Sequence, residues 1–263
     1  ILVPETGIIN FKQLAKKIAS LITQINPHSK ILTSTEVRHI KQQERKSLVI
    51  TNHNTIECEH VITCAGLFSD RLANLDGVDL DLKIVGFRGD YYTLSESAQH
   101  KVRNLIYPVP NPEFPFLGVH FTRMANGEIE CGPNAVFTFK REGYRKLDFN
   151  FKDTFDALSY LGTWKLFKNH WKFGLNEMVK ASSKRVFLHH LQKLMPSLTI
   201  NDIKPGRSGV RAMALGADGD VIDDFKIISH NRNIHVVNAP SPAATACLSI
   251  GDTVSNQLTK LFD

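Results

Sequence analysis

Few residues in this chain have both the type and the surroundings for chemistry. His120 stands in Gly118-Val119-His120-Phe121-Thr122-Arg123. This stretch reads as a strand, and alternation places His120 and Thr122 on one face and Phe121 and Arg123 on the other. Imidazole is the side chain suited to taking a proton near neutral pH. A strand histidine can equally be a structural hydrogen bonder. Arg88 lies in Gly86-Phe87-Arg88-Gly89-Asp90-Tyr91-Tyr92. Its planar fork matches a carboxylate, and Tyr91 adds a hydroxyl donor. The same letters also read as a turn with a surface arginine. Arg211, in Ser208-Gly209-Val210-Arg211-Ala212-Met213, sits among small residues on an apolar strand. Burying it is costly without an anion, either a ligand carboxylate or Asp223 or Asp224. The Asp223-Asp224 pair has no Glu or His at ligand spacing, so no metal site is expected there.

A second kind of signal lies near the C-terminus. The apolar strand His235-Val236-Val237 runs into Asn238-Ala239-Pro240-Ser241-Pro242-Ala243-Ala244-Thr245-Ala246-Cys247. A helix is expected from about Thr245. A strand that feeds small residues into a helix start exposes backbone N–H groups at a positive dipole end. Small side chains let a flat or anionic ligand approach them. Val61-Ile62-Thr63-Cys64-Ala65-Gly66 repeats the idea more weakly, as a strand ending in Ala65 and Gly66 at the carboxyl edge of a sheet. No Gly-x-Gly-x-x-Gly occurs.

These residues need elements to position them. Apolar positions Phe11, Leu14, Ile18, Leu21, Ile22 and Ile25 recur at helical spacing, with Asn10 as cap. A strand is expected over 31–40, a hairpin over 47–58 around Asn52-His53-Asn54, and a helix from Ser69. From 83 the texture becomes that of an antiparallel sheet, with short strands at 82–87, 91–94, 105–108, 117–122 and 129–132. Residues 151–195 read as helices, with Trp164, Leu166, Phe167, Trp171 and Phe173 as core anchors. The fold class is therefore α/β plus α+β: residues 1–82 and 208–263 form one domain, interrupted by an antiparallel domain over 83–207.

Composition sets outer bounds. The 263 residues are 42% apolar and 22% charged, with a net charge of +6. That suits a globular protein able to bury its own core. The four cysteines form no C-x-x-C pair, which argues against zinc ribbons and disulfide frameworks and for a reducing compartment. No apolar run reaches the roughly 18 residues of a membrane span. The basic excess gathers in 138–193, a solvated face or one that attracts an anionic substrate or acidic lipid. Nothing resembles a nucleic-acid-binding motif, so no nucleic-acid partner is expected.

Taken together the segments resemble the L-2-hydroxyglutarate oxidase/dehydrogenase family, within the FAD-dependent group that includes D-amino-acid oxidases and glycerol-3-phosphate dehydrogenases. The resemblance runs almost end to end. It is carried by Pro4-Glu5-Thr6-Gly7, Cys64-Ala65-Gly66-Leu67-Phe68-Ser69-Asp70-Arg71, Phe87-Arg88-Gly89-Asp90-Tyr91-Tyr92, Val119-His120-Phe121-Thr122-Arg123, Gly132-Pro133-Asn134-Ala135-Val136, Gly209-Val210-Arg211-Ala212 and the 238–251 segment. It implies an incomplete FAD-binding, Rossmann-like domain and oxidation of L-2-hydroxyglutarate to 2-oxoglutarate by hydride transfer to FAD. His120 would be the base. Arg211, Arg88 and Arg123 would grip the small dicarboxylate, supported by Tyr91, with Arg123 ranked last because alternation turns it from His120. Pro240, Ser241, Pro242, Ala243, Ala244 and Thr245 would lie at the flavin, Val37 near adenine and Gly66 and Ala65 along the cofactor.

The family's opening strand, Gly-rich turn and helix, which hold the FAD pyrophosphate, would precede Pro4. The resemblance therefore implies a fragment, weak or inactive alone, with open sheet edges. Two alternatives stay open: another member of the group acting on an amino acid or glycerol phosphate, and a non-catalytic remnant that binds a dicarboxylate or a protein. The electron acceptor could be oxygen, a quinone or an electron-transfer flavoprotein. A cytoplasmic location is expected, at the inner face of the bacterial membrane if there is a peripheral membrane contact, with a mitochondrial location as the alternative.

Overall fold

A computed structural model describes residues 3–109 and 118–261. In chain order their elements are α1 (Phe11–Ile25), β1 (Val37–Gln42), β2 (Ser47–Thr51), β3 (Thr55–Cys58), β4 (Ile62–Thr63), α2 (Ser69–Leu75), β5 (Leu82–Leu94), β6 (His120–Arg123), β7 (Ile129–Gly132), β8 (Val136–Phe137), α3 (Phe151–Leu158), α4 (Leu161–Asn169), α5 (Trp171–Ser182), α6 (Lys184–Gln192), β9 (Ile203–Gly216), β10 (Val221–Ile222), β11 (Lys226–His230), β12 (Asn233–Asn238) and α7 (Cys247–Thr259).

Local chemistry explains most of these bounds. Asn10 caps α1, its side-chain oxygen accepting the Gln13 N–H at 3.1 Å. The β2–β3 hairpin turns where expected. There the Thr51 hydroxyl accepts the N–H groups of His53 and Asn54 at 3.1 and 2.9 Å. The strand expected over 31–40 begins only at Val37. Ser34 takes a left-handed φ of 56°, and the Asn52 side chain accepts the Glu36 N–H at 2.9 Å. Residues 31–36 are thus turned and tied to the hairpin rather than extended. The segment 82–94 is one strand and not two, because Arg88 and Asp90 pair on one face and need no turn between them. Of 105–108 only Ile106 pairs, in a bridge to Phe121. Leu117, expected to begin the next strand, lies outside the described residues.

Two expected core anchors are on the surface. Trp164 and Trp171 are 55% and 56% exposed. The buried face of α4 is Gly162, Thr163 and Leu166. It approaches the Gly216 carbonyl so closely that a Cβ on Gly162 would lie 2.1 Å from that oxygen. The helix packs through small residues, which turns Trp164 outward, where its indole donates to the Leu158 carbonyl at 2.7 Å.

The chain folds into two compact units, with boundaries that differ from 82/83 and 207/208. The first comprises Ile1–Ile31, Arg88–Phe137 and His170–Gly209, and the second Leu32–Phe87, Thr138–Asn169 and Val210–Asp263. Helix α1 therefore groups with the first unit, and α3 and α4 with the second. Three sheets are present among the described residues: antiparallel β1-β2-β3, a six-stranded sheet ordered β10-β9-β5-β7-β6 with β8 on β5, and β11-β12-β4. The last contains the parallel pair β12 and β4. The first unit's core places Leu94, Phe121, Ile129 and Cys131 against Phe187, Leu188 and Leu191 of α6. The second unit's core gathers Ala73 of α2, Leu82 and Ile84 of β5, Ala214 of β9 and Val237 of β12.

One ion-pair network knits the second unit together. The guanidinium of Arg141, 4% exposed, grips both oxygens of Asp70, with Nη2 at 2.8 Å from Oδ2. It also donates to the Leu67 carbonyl at 2.6 Å and to Asp156 at 2.9 Å. Asp70 further accepts the Ile84 N–H at 3.0 Å. Asp156 holds Lys83 at 2.5 Å and Arg71 at 3.1 Å. Burial raises the Asp156 carboxyl pKa, but Lys83, Arg71 and Arg141 more than offset this and hold it below its usual value. Removing one partner of such a pair strands a buried charge. Arg141→Met is therefore expected to destabilise the chain by about 3–5 kcal/mol, read as a lower midpoint in denaturant unfolding. An unchanged midpoint would refute this account of the network.

Candidate active site

In the first unit, the ladder register decides which side chains meet. β6 pairs β7 with His120 opposite Gly132 and Phe121 opposite Cys131, and β7 pairs β5 with Cys131 opposite Tyr92. Phe121 and Cys131 belong to the core and Tyr92 packs against it. His120, Gly132 and Tyr91 therefore share the other face. A Cβ on Gly132 would lie 3.1 Å from the Tyr91 ring, so the glycine leaves that row open.

His120 is buried, and its Nδ1 lies 3.1 Å from the Gly118 carbonyl. A carbonyl only accepts, so Nδ1 carries the proton and the basic lone pair falls on Nε2. The Tyr107 ring stacks on the imidazole, with centroids 4.3 Å apart and planes within 13°. Its hydroxyl lies 3.3 Å from the Thr122 hydroxyl.

The arginines separate. Arg88 is buried on the face opposite His120 and Tyr91. Its Nε donates to Asp90 at 2.8 Å, and Asp90 also accepts the Ser208 hydroxyl at 2.8 Å and the Asn134 amide at 3.3 Å. Burial pushes the Asp90 pKa up, but Arg88, Ser208 and Asn134 hold it below the usual range. Arg88 is thus neither the surface arginine of a turn nor a neighbour of His120. Strand alternation turns it to the other side, where Asp90 satisfies it. Arg123 faces away from His120 as alternation requires. Its guanidinium binds the carbonyls of Arg103, Gly127, Gln99 and Val102 at 3.1, 3.3, 3.2 and 2.5 Å, which occupies it structurally. Arg207, which no sequence pattern singles out, is an exposed guanidinium on β9 held by Glu130 at 2.5 Å. Glu130 lies opposite Thr122 in the ladder, on the His120 face.

In the second unit, β12 and β4 run parallel, so their carboxyl ends open at one edge. Buried side chains hold that edge. Asp76 Oδ2 accepts from Gln42, Asn233 and His235 Nε2 at 2.8, 2.8 and 2.9 Å. His235 Nδ1 meets the Thr63 hydroxyl at 2.9 Å, which ties β12 to β4. The Ser69 hydroxyl donates to the Val237 carbonyl at 2.5 Å. Between these ties β4 passes through Ala65 into Gly66, which has φ +53° and nothing within 4 Å of a would-be Cβ. Beyond β12 lies the turn of Pro240, Ser241, Pro242, Ala243, Ala244 and Thr245, small and mostly exposed. A crevice of small residues outside the carboxyl ends of parallel strands suits a flat, anionic ligand.

One expectation for that turn is corrected. The N–H groups of Ala243, Thr245 and Ala246 bond the Pro240 and Pro242 carbonyls within the turn. The helix begins at Cys247 and not at Thr245, without a side-chain cap. The amides that open a helix without an intrahelical acceptor are therefore those of Cys247, Leu248 and Ser249. Val37 lies on β1, opposite Thr51, in a different sheet from β4, the strand that leads to Ala65 and Gly66. Arg211 lies on β9 in the second unit, and His120, Tyr91, Arg88 and Arg123 lie in the first. Tyr107, Arg207 and the Asp76 network carry no sequence signal, because only pairing brings them to their partners.

A family model described as FAD dependent oxidoreductase matches residues 1–257. The chain is 43% identical to an L-2-hydroxyglutarate dehydrogenase of Indibacter alkaliphilus over 99% of this chain and 65% of that protein. It is 41% identical to the mitochondrial L-2-hydroxyglutarate dehydrogenase of Homo sapiens over 99% of this chain and 59% of that one. The chain thus spans about three-fifths of the length of these curated relatives. Among solved structures, a dithionite-reduced L-alpha-glycerophosphate oxidase from Mycoplasma pneumoniae with FAD bound aligns with a TM-score of 0.67 at 23% identity, covering 94% of this chain and 55% of that one. The L-proline dehydrogenase of P. horikoshii aligns at 0.60 and 12% identity, covering 94% and 55%. At these identities the structures speak for the fold alone.

The buried histidine gives this edge a pH dependence. Burial lowers the His235 pKa, more than Asp76 raises it. The folded state therefore keeps His235 neutral while the unfolded state binds a proton below about pH 6.5. Stability is expected to fall as pH drops through that value, and by less in His235→Gln. Unfolding midpoints at several pH values would show this, and equal slopes in both proteins would refute it.

Proposed function

The chain belongs to the FAD dependent oxidoreductase family, and from that premise we propose that it serves an enzyme oxidising L-2-hydroxyglutarate at C2 to 2-oxoglutarate. The carrying observation is His120, whose Nδ1 bond to the Gly118 carbonyl puts the basic lone pair on Nε2. Oxidation of a secondary alcohol needs a base for the hydroxyl proton as hydride leaves the carbon. His120 Nε2 takes that proton. Identities of 43% and 41% to two L-2-hydroxyglutarate dehydrogenases support the substrate.

When bound, FAD supplies the hydride acceptor. The residues present fit it: nothing lies within 4 Å of a would-be Cβ on Gly66, so Ala65 and Gly66 would leave room along the cofactor, the turn from Pro240 to Thr245 would give a small-residue floor, and the first amides of α7 would bear on negative charge. Val37 would lie near the adenine. The substrate carries two carboxylates and needs two cationic grips. Of the arginines, Arg88 and Arg123 are already engaged by Asp90 and by backbone carbonyls, and Arg207 by Glu130, so Arg211 is the grip we put forward. Tyr91, in the His120 row, adds a hydroxyl. In flavin-loaded protein, His120→Ala is expected to slow bleaching of the flavin by L-2-hydroxyglutarate by roughly 10²–10⁴-fold. A loss under tenfold with the fold intact would return His120 to a structural role.

We also infer a peripheral membrane contact, and with it a quinone as the acceptor to test first, ahead of oxygen and an electron-transfer flavoprotein. Among the described residues no helix is long and apolar enough to cross a membrane. Residues 139–155 instead expose Phe139, Leu147, Phe149, Phe151 and Phe155, interleaved with Lys140, Arg145, Lys146 and Lys152. Aromatic rings with flanking cations suit an anionic headgroup layer. On this reading the protein would work at the inner face of a bacterial membrane, or at a mitochondrial one. The chain is expected to sediment with phosphatidylserine vesicles at low salt and not with phosphatidylcholine vesicles, and Leu147→Glu with Phe149→Glu should release it. Equal sedimentation of both proteins would remove this surface from consideration.

A further inference from the structure

Segment 105–108 is short of a strand, yet it places one aromatic ring with care. Ile106 and Phe121 exchange both backbone hydrogen bonds, at 2.9 and 2.8 Å. In an antiparallel pair this sets Tyr107 opposite His120. Ile106 packs against the core beside Phe121, so Tyr107 and His120 both face away from it. Their rings lie parallel at 4.3 Å, and the Tyr107 hydroxyl reaches across to Thr122, two residues along β6.

We propose that Tyr107 is a positioning residue for the oxidation. It holds the plane of the His120 imidazole, so that Nε2 meets the substrate hydroxyl along its lone pair, and its ring face lies against the charge when the proton arrives. The inference rests on His120 as base. The Gly118 carbonyl selects the tautomer, and the stack adds a restraint on rotation of the ring about its bond to Cβ. The Thr122 contact keeps Tyr107 itself in place. A cation against an aromatic face is attracted to it, so the stack favours the imidazolium formed during the step over the neutral ring before it. The hydroxyl of Tyr107 takes no part in the proton transfer. The proton moves from the substrate oxygen to His120 Nε2, and C2 becomes the carbonyl carbon as its hydride is given up to the acceptor that FAD would supply when bound.

The test compares Tyr107→Phe and Tyr107→Leu. Proton NMR of the chain without added ligand reads the ring-current shift of the His120 ring protons. That shift is expected to persist in Tyr107→Phe and vanish in Tyr107→Leu. In flavin-loaded protein turning over L-2-hydroxyglutarate, Tyr107→Leu should lower kcat roughly tenfold or more with KM little changed, and Tyr107→Phe should restore most of it. In a His120→Gln background, Tyr107→Leu should cost nothing further. Equal loss in both backgrounds, equal loss from Phe and Leu, or no loss from Leu while His120→Gln is impaired would each overturn the positioning role alone. Full turnover in His120→Gln would overturn the base and the positioning role together.

Discussion

The buried contact between Arg141 and Asp70 constrains the second unit more than any other. Each charge loses its hydration, and the pair persists only because its hydrogen-bonding capacity is met around it. Arg141 spends its donors on Asp70, Asp156 and the Leu67 carbonyl. Asp70 spends its oxygens on Arg141 and on the amides of Arg71 and Ile84. The network therefore fixes the start of α2, the entry to β5 and the place of α3 in one stroke. It also fixes the turn through Gly66, because Leu67 and Asp70 immediately follow it.

A second buried array works on the same edge from the other side. Thr63, His235 and Asp76 join β4, β12 and the end of α2 by hydrogen bonds with no solvent to compete. Asp76 crowds three donors onto one oxygen and leaves Oδ1 without a partner among the described residues. That concentration of polar groups costs stability in an apolar core. What it provides is register. A slip of β4 against β12 would break the Thr63 bond to His235 and shift Ala65 and Gly66 away from the turn after β12.

The first unit solves a different problem, keeping an imidazole on one sheet face while the same sheet holds cations on the other. Alternation along β5 and β6 does both. Arg88 with Asp90 and Arg123 with its carbonyls go to one side, and Tyr91 and His120 go to the other. Gly132, at φ +144°, leaves space between the last two. The order of charges on the two faces thus follows from period-two geometry and one residue without a side chain.

Much of this organisation is legible in the amino-acid sequence itself. The Asn10 cap, the hairpin around Asn52 to Asn54, the break at Gly66 and the opposition of His120 and Arg123 all follow from local rules, since each involves neighbours a few residues apart. The same holds for the small-residue turn after β12, which needs only composition and its place behind an apolar strand. Tertiary structure decided what depends on distant partners. Arg88 reads as a ligand grip until Asp90, Ser208 and Asn134 close around it, and Ser208 lies 118 residues from Asp90. Trp164 reads as core until Gly162 brings α4 against Gly216. Tyr107 reads as nothing until Ile106 pairs with Phe121. Residue type and spacing determined which groups could do chemistry. Only strand register, which is set by the packing of whole faces, determined which of them meet.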